Sequence, residues 1–269
     1  MSPVRQAGAT VVQTASKSIE WLKMTGGDNR YSSVLRGSWG TETKNPPDET
    51  NLTFGLEQIP VHVYTFKTPM STSLLEDMTN VSQMFVTRVS EVLGIDEDEA
   101  FLIGTGIGRP RGILPGSANG HGLNEIASLG ATALTWTGLK NLRRGVASQY
   151  RSSARAAWIG NSDTGGDVEA LVDGDSRNYI DVLVSGEAVP TLGGRWFESE
   201  AMPDVAASAY PLIFGDLSGY FIVERLGLSV QRYNDSNTGI NLVEFHVRRR
   251  IGGDVIEPWK LAVQDVAAS

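Results

Sequence analysis

The sequence predicts a mixed α+β protein, in which one long helix accompanies long antiparallel strands and a separate compact unit. Three observations support this prediction. Apolar residues recur at helical spacing over residues 73–102, and apolar and polar residues alternate along two stretches between residues 226 and 247. Residues 113–221 combine short apolar strands with short amphipathic helices. Helices and strands that occupy separate parts of a chain are typical of the α+β class.

The long helix is predicted from Ser73 to about Leu102. Its apolar residues recur at steps of three and four, which places them on one face. They are Leu74, Met78, Val81, Phe85, Val89 and Val92. Ser73 and Glu76 fit a capping box at the start, and Pro110 prevents the helix from resuming after the glycines at 104–108. Such a helix would be about 45 Å long.

An extended hairpin is predicted near the N-terminus. One strand begins at Ile19 and Trp21, and the other carries Leu52, Phe54 and Leu56 at alternate positions. The polar stretch between them is long, and a two-stranded hairpin alone is marginal in water. Some other surface must therefore cover it. Residues 1–17 are small and polar, and we predict an extended arm with little core of its own.

Two further strands are predicted near the C-terminus, the first over residues 226–230 and the second over residues 243–247. The polar residues 234–239 predict a turn between them, and residues 251–254, which contain two glycines, predict a second turn after them. Long strands beside a long helix would form an elongated platform.

Composition excludes several classes of protein. The 269 residues contain no cysteine, which excludes disulfides and thiolate metal sites. Lysine and arginine number 23 against 31 acidic residues, a net charge of −8 that argues against a nonspecific nucleic-acid binder. No apolar run is long enough to predict a membrane span, and residues 1–20 lack a signal-peptide pattern.

No catalytic or ligand-binding motif is found. The glycines at 104–108 follow a helix and lack the spacing of a dinucleotide-binding loop. His62, His121 and His246 lie far apart and show no zinc-ligand spacing. We therefore predict no catalytic residue, no cofactor and no metal, and a protein that is not an enzyme.

Several short motifs occur in a recognisable order. The predicted helix ends in Glu99, Ala100, Leu102, Gly104 and Gly106, followed by Gly112, Ile113 and Leu114. Later come Trp158 and Asn161, Asp173 and Gly174, Gly186 to Pro190, Met202 and Pro203, and finally Gly215, Asp216, Gly219, Tyr220 and Ile222. Over roughly residues 50–265 this series resembles the major capsid proteins of tailed bacteriophages, shell proteins of the type first seen in phage Hong Kong 97. The adjacency of Glu99 and Ala100 is a small departure from the family's spacing.

The resemblance implies a Hong Kong 97-type capsid fold in four parts. These are an N-terminal arm at 1–17, an extended loop at 18–67, a peripheral domain with a spine helix at 68–112 and 222–258, and an axial α/β domain at 113–221 and 259–269.

The resemblance also implies a structural protein of the virion. Such a protein self-assembles in the host cytoplasm into hexamers and pentamers of an icosahedral head, which encloses double-stranded DNA without sequence-specific binding. The implied partners are a scaffold protein or cleaved scaffold segment, a portal and a decoration protein. A bacterial encapsulin-like nanocompartment shell, which encloses cargo enzymes, shares the fold and stays open as an alternative.

Charged residues are the candidate contacts between subunits. The acidic run Asp96, Glu97, Asp98 and Glu99 lies near a helix C-terminus, where the helix dipole disfavours anions. A cationic partner is therefore expected. The candidates are Arg30, Arg36 and Lys44 on the extended loop and Arg248, Arg249 and Arg250 on the strand platform.

Overall fold

Six α-helices and eleven strands are found in the part of the chain that the structure describes. The structure, a computed structural model, describes residues 2–25, 53–77, 81–114, 120–130, 133–172, 194–237 and 241–266. The helices are α1 Pro3–Gln6, α2 Thr72–Asp77, α3 Val81–Ile103, α4 Trp136–Gly145, α5 Ser148–Arg151 and α6 Ser162–Glu169. The strands are β1 Thr10–Gln13, β2 Ser18–Thr25, β3 Thr53–Pro60, β4 His62–Ser71, β5 Asn124–Ala127, β6 Ala156–Gly160, β7 Arg195–Glu198, β8 Ile213–Asp216, β9 Tyr220–Asn237, β10 Leu242–Val255 and β11 Leu261–Asp265.

A four-stranded sheet forms the elongated part of the molecule, in the order β1-β9-β10-β4. β10 lies antiparallel between β9 and β4, whereas the short β1 runs parallel to β9. Helix α3 covers one face: Phe85 packs on Phe245 of β10, with ring centroids 4.9 Å apart. β4 therefore brings residues 62–71 into this sheet beside β10.

The long helix is found as α2 and α3, and residues 78–80 between them lie outside the described residues. Its buried face differs by one position from the prediction. Val89 and Leu93 are each only 3% exposed, whereas Val92, which we expected on the buried face, is 48% exposed. Successive residues of a helix are rotated by about 100°. Val92, three residues after Val89, and Leu93, four residues after it, therefore lie on opposite sides of the line that runs along the helix through Val89. The sheet covers the side that Leu93 occupies.

A five-stranded sheet forms the second unit, in the order β5-β11-β8-β6-β7. β11 runs parallel to β5 and antiparallel to β8, which places the C-terminal segment inside this sheet. Trp158 of β6 and Phe214 of β8 are buried with ring centroids 4.4 Å apart. Leu139 and Leu142 of α4 belong to the same apolar core.

The N-terminal segment is folded onto its own chain. Val4 and Ala7 are completely buried in the main core, and β1 extends the four-stranded sheet. The hydroxyl of Thr10 donates to the carbonyl oxygen of Ser218 over 2.8 Å. The prediction of an arm that adds little to the core is therefore wrong for residues 2–13. Two isolated apolar residues give no periodic signal, and only the tertiary structure buries them.

The predicted hairpin is confirmed as β2 paired antiparallel with β3. One of its faces is covered by its own chain: Ile59 is fully buried, and Trp21 packs on Phe221 with centroids 4.9 Å apart. Leu22 and Leu56 are opposite each other in the register and are 50% and 73% exposed. The other face of the hairpin therefore presents an apolar pair to solvent.

The predicted turn at residues 251–254 is wrong, because β10 runs on to Val255. A Cβ atom on Gly252 would lie 2.2 Å from the carbonyl oxygen of Pro60, and one on Gly253 would lie 2.3 Å from the hydroxyl of Tyr220. These glycines allow close approach inside a sheet rather than a change of direction. The tip residues 238–240 lie outside the described residues, and β9 continues to Asn237 before them.

Candidate functional site

The four residues of the predicted acidic run lie near the C-terminal end of α3, and their side chains point to different sides of the helix. Asp96 accepts a hydrogen bond from the hydroxyl of Tyr64 on β4. Glu99 lies on the surface, 52% exposed, with its carboxylate 3.3 Å from the guanidinium of Arg109. Glu97 and Asp98 are each only 6% exposed. Every carboxylate of the run has a partner in its own chain.

Asp98 holds the N-terminal segment against the end of α3. Its carboxylate accepts hydrogen bonds from the hydroxyl of Ser2, over 2.9 Å, and from the hydroxyl of Ser199. Burial raises the pKa of Asp98, and the hydrogen bonds from Ser199, Ser2 and the backbone of Val4 oppose that rise. This contact links α1, α3 and the segment after β7.

Glu97 belongs to a closed charge network of two arginines and two glutamates, which are Arg5, Glu97, Glu224 and Arg249. Arg5 lies 3.0 Å from Glu97 and 2.7 Å from Glu224. Arg249 pairs with the same two carboxylates and lies 2.8 Å from Glu224. The side chains are between 6% and 19% exposed. The network therefore joins α1, α3, β9 and β10 on the face of the sheet that α3 covers, and its two positive charges equal its two negative charges.

The two carboxylates of the closed charge network respond differently to it. Burial raises the pKa of Glu97, against the opposing effect of Arg249 and Arg5. Burial also acts on Glu224, but there the charges and hydrogen bonds of Arg5 and Arg249 outweigh it and lower the pKa. The network is worth little as a source of extra stability, but removing one member would leave an unpaired buried charge.

The opposite face of the same sheet carries an open arginine face, which consists of Arg225, Arg248 and Arg250. Successive side chains of a strand point to opposite faces, so Arg248 and Arg250 point away from Arg249 and from α3. Arg225 is the extra residue at an irregularity, where the register passes from Arg250 opposite Leu226 to Ile251 opposite Glu224. Loss of hydration lowers the pKa of Arg250, and the charges of Arg248 and Arg225 lower it further.

The acidic residue next to the open arginine face is already paired. Glu244 lies on the same face of β10 and is 12% exposed; its carboxylate lies 3.2 Å from His246 and 3.7 Å from Lys67. Among the described residues, no carboxylate forms an ion pair with Arg225, Arg248 or Arg250. This face of the sheet therefore carries an excess of positive charge.

A buried histidine lies where the hairpin meets the sheet. His121 contacts the carbonyl oxygen of Gly112 through Nε2, over 2.8 Å, and Asp254 through Nδ1, over 3.6 Å. Burial, with the charge of Arg111, lowers the pKa of His121 to about 4. Burial raises the pKa of Asp254, which Arg111 opposes. Glu57 of β3, 3.9 Å from Arg111, connects this cluster to the hairpin.

Exposed apolar side chains mark two further surfaces. Met84, Val86, Val92 and Ile95 of α3 are between 42% and 69% exposed, and Leu22 and Leu56 form the apolar pair of the hairpin. Apolar surface of this kind on a folded domain is typical of protein contact sites.

A cavity of about 220 Å³ lies between β4, the end of α3 and residues 108–110. The residues that line it include Tyr64, Leu93, Phe101, Asp96 and Glu99. The described parts of the chain contain no group of three or more histidines or acidic residues that could hold a metal ion. In the same parts, no helix is long and apolar enough to cross a membrane.

The predicted cationic contact residues thus divide into three groups. Arg30, Arg36 and Lys44 lie outside the described residues. Arg249 meets the acidic run, but it meets Glu97 of its own chain. Arg248 and Arg250 point to the other face. Sequence reasoning missed Arg225, Arg5 and Glu224; the alternation of β10 was enough to separate Arg249 from its neighbours, whereas nothing in the sequence indicated a partner for Arg5.

A spine helix on an elongated sheet, joined to a separate five-stranded sheet, defines a shell protein of the Hong Kong 97 type. The capsid of a native GTA particle computed with C5 symmetry is 27% identical with a TM-score of 0.80; the match covers 100% of this chain and 91% of that one. The capsid of an empty GTA particle is 28% identical with a TM-score of 0.79, over 99% and 90% of the two chains. A chain from Mycobacterium phage Cain, 15% identical over 99% and 91%, shares the fold with a TM-score of 0.68.

The chain belongs to the phage capsid family, whose model matches residues 1–265. A comparison with curated proteins found no match to the sequence. The predicted fold class and the resemblance to tailed-phage major capsid proteins are confirmed, and the protein is a structural protein of the phage capsid.

Proposed function

We propose that this protein is the major head subunit of a tailed phage, which self-assembles into hexamers and pentamers of an icosahedral shell around double-stranded DNA. The observation that carries the proposal is the match of the whole chain to the GTA capsid chain, whose particle was computed with C5 symmetry. A particle computed with C5 symmetry has copies related by a five-fold axis, which supports self-association of a subunit with this fold.

The exposed surfaces support assembly. The apolar residues on α3 and the Leu22–Leu56 pair are costly on a free monomer and are suited to burial between copies. A scaffold protein or cleaved scaffold segment, a portal and a decoration protein are the further partners of such a subunit, and assembly would take place in the host cytoplasm.

The test is the assembly state of the purified protein. We expect closed particles, or rings of five and six, in negative-stain microscopy and in sedimentation, with scaffold supplied. A stable monomer at all concentrations and salts would contradict the proposal.

The extended loop provides a sharper test. We propose that residues 26–51 clasp a neighbouring subunit. The strands β2 and β3, which flank this segment, pair with each other and are anchored on their own chain by Trp21 and Ile59, so the segment itself is not needed to hold them in place. Replacement of residues 26–51 by a short turn is expected to leave the free energy of unfolding of the subunit unchanged and to abolish particles. Particle yield equal to that of the wild type would show that the loop does not clasp a neighbour.

The acidic run contributes to contacts between subunits chiefly through Glu99. Glu97 and Asp98 are buried inside their own chain, whereas Glu99 is 52% exposed and can meet Arg30, Arg36 or Lys44 of a neighbour. Glu99→Lys is expected to reduce particle yield, and Arg36→Glu in the same chain to restore part of it. Unchanged yield in Glu99→Lys would leave Glu99 as a solvated helix end paired with Arg109.

A further inference from the structure

The open arginine face has more positive charge than its own chain neutralises. In a chain with a net charge of −8, Arg225, Arg248 and Arg250 lie together and no carboxylate of the described residues pairs with them. The neighbouring carboxylate, Glu244, already contacts Lys67 and His246. Like charges repel each other, so the electrostatics among these three arginines do not stabilise the folded subunit.

The guanidinium groups of the open arginine face favour an anion that presents a pair of oxygen atoms in one plane. A guanidinium presents its donors in a fork that matches carboxylate and phosphate oxygens. Arg248 and Arg250 are two residues apart on one strand, which separates their Cα atoms by roughly 7 Å. Two separate anionic groups therefore suit the face better than a single one.

Carboxylates of another protein chain suit the face better than the phosphates of DNA. Affinity for DNA depends on neutralising many phosphates, and three arginines on a chain of net charge −8 supply few such contacts against a long-range repulsion. A second copy, in contrast, brings an excess of carboxylates, since acidic residues outnumber lysine and arginine by 31 to 23. Copies of an acidic chain also repel each other unless a basic surface of one meets an acidic surface of the next.

We propose that the open arginine face binds carboxylates of a second copy of this chain in the assembled shell. The inference rests on the proposed assembly and adds the surface and the chemistry of one contact. Exposed ion pairs are individually weak, but a shell repeats the contact at every subunit. The contact then contributes chiefly to the concentration at which particles form and to its dependence on salt.

The first experiment compares Arg248→Gln/Arg250→Gln with the wild type and with the matched control Arg144→Gln/Arg155→Gln, which removes two exposed arginines that lie outside the surfaces proposed for assembly. Assembly of the wild type in the same buffer tests the proposed function, independently of the inference about the open arginine face. The variant of the open arginine face is expected to need about tenfold more protein to form particles at low salt. High salt should reduce that difference, and the free energy of unfolding should match that of the control.

Two results would overturn the inference. One is assembly of the arginine-face variant at the same concentration as the control. The other is unchanged assembly with less DNA retained per particle, which would assign the face to the phosphate backbone.

The second experiment identifies the partner. Arg248→Lys/Arg250→Lys keeps both positive charges and introduces amines that a carbodiimide can join to a carboxylate in direct contact. Particles are assembled from equal amounts of ¹⁴N- and ¹⁵N-labelled subunits, cross-linked and digested. Mixed-isotope peptides that join residue 248 or 250 to an acidic peptide would support the proposal and name the acid. Cross-links found only within one isotope, or no cross-link at either position, would contradict it.

Discussion

The closed charge network and the open arginine face lie on opposite faces of the same strand. Arg249 points towards α3 and pairs with Glu97 and Glu224, whereas Arg248 and Arg250 point away and meet no carboxylate of the described residues. The three residues are consecutive and chemically identical, yet only one of them contributes to the fold of the subunit. Alternation along the strand thus places neighbouring arginines on different faces: Arg249 pairs within its own chain, and Arg248 and Arg250 lie on the face of the proposed contact between chains.

The difference leads us to expect that the two groups of charges differ in what their removal costs the fold. A charge in the closed network cannot be removed without leaving a buried partner unpaired. We expect a charge on the open face to be removable with little effect on the subunit, in line with its proposed role in assembly. The following predictions test this contrast, from the largest expected effect to the smallest.

Replacement of Arg249 should have the largest effect. Arg249→Gln leaves Glu97 and Glu224 with only Arg5, and we expect the free energy of unfolding to fall by about 3–5 kcal/mol. Arg248→Gln, one residue away, should change it by no more than about 0.5 kcal/mol. Urea unfolding of the unassembled subunits measures both values. Equal losses in the two variants would remove the contrast between the faces.

Replacement of Leu93 tests the face of α3 that meets the sheet. Leu93 is 3% exposed and Val92 is 48% exposed. Leu93→Ala should cost about 2–5 kcal/mol through lost burial and a cavity, whereas Val92→Ala should cost about 0.5 kcal/mol or less. The same unfolding experiment compares them. A larger loss in Val92→Ala would mean that α3 is rotated relative to the sheet.

Acidification should destabilise the subunit through His121. Its folded pKa, about 4, lies below the unfolded value of 6.5, so the stabilisation is complete above pH 6.5 and is lost as the pH falls towards 4. The loss is about 3 kcal/mol for a shift of this size. The raised pKa of Asp254 opposes part of this loss, since protonation of that carboxyl favours the folded state. The other charged groups near the two residues are Arg111, Lys23 and Glu57.

His121→Gln keeps a donor for the carbonyl oxygen of Gly112 and cannot titrate. The difference in unfolding free energy between the wild type and this variant should therefore shrink or reverse between pH 6.5 and pH 4. A difference that does not vary with pH would show that His121 is protonated as easily in the folded subunit as in the unfolded chain.

The exposed pair of Glu99 and Arg109 should show the smallest effect. Both side chains are about half exposed, and exposed pairs contribute between about 0 and 1 kcal/mol. Arg109→Gln should therefore leave the thermal midpoint of the unassembled subunit almost unchanged. A loss comparable to that of Arg249→Gln would place Arg109 in a network that resembles the buried one.

Periodicity in the sequence was sufficient to predict those elements whose structure depends on local spacing. The helix, the β2–β3 hairpin and the alternation around Val243 and Phe245 all follow from local spacing, and the series of capsid motifs added the family. The failures depended on tertiary contacts. Gly252 and Gly253 were expected in a turn, but they lie in a strand because Pro60 and Tyr220 approach closely.

The candidate contacts were predicted less well than the fold for the same reason. The acidic run was expected to need a partner on another chain, yet Arg5 from the N-terminal segment meets Glu97 at 3.0 Å. A sequence separation of 92 residues lies between them, and no local pattern predicts such a contact. Arg225 escaped notice because its proximity to Arg250 depends on an irregularity in strand register.

The most direct measurement is a cryo-electron microscopy reconstruction of the assembled particle at a resolution that shows side chains. We expect Arg249 to contact Glu97 and Glu224 of its own chain, with carboxylates of a second copy within ion-pair distance of Arg248 and Arg250. A particle in which Arg248 and Arg250 face solvent or DNA, or in which Arg249 pairs with another copy, would contradict the division of the strand into a folding face and an assembly face.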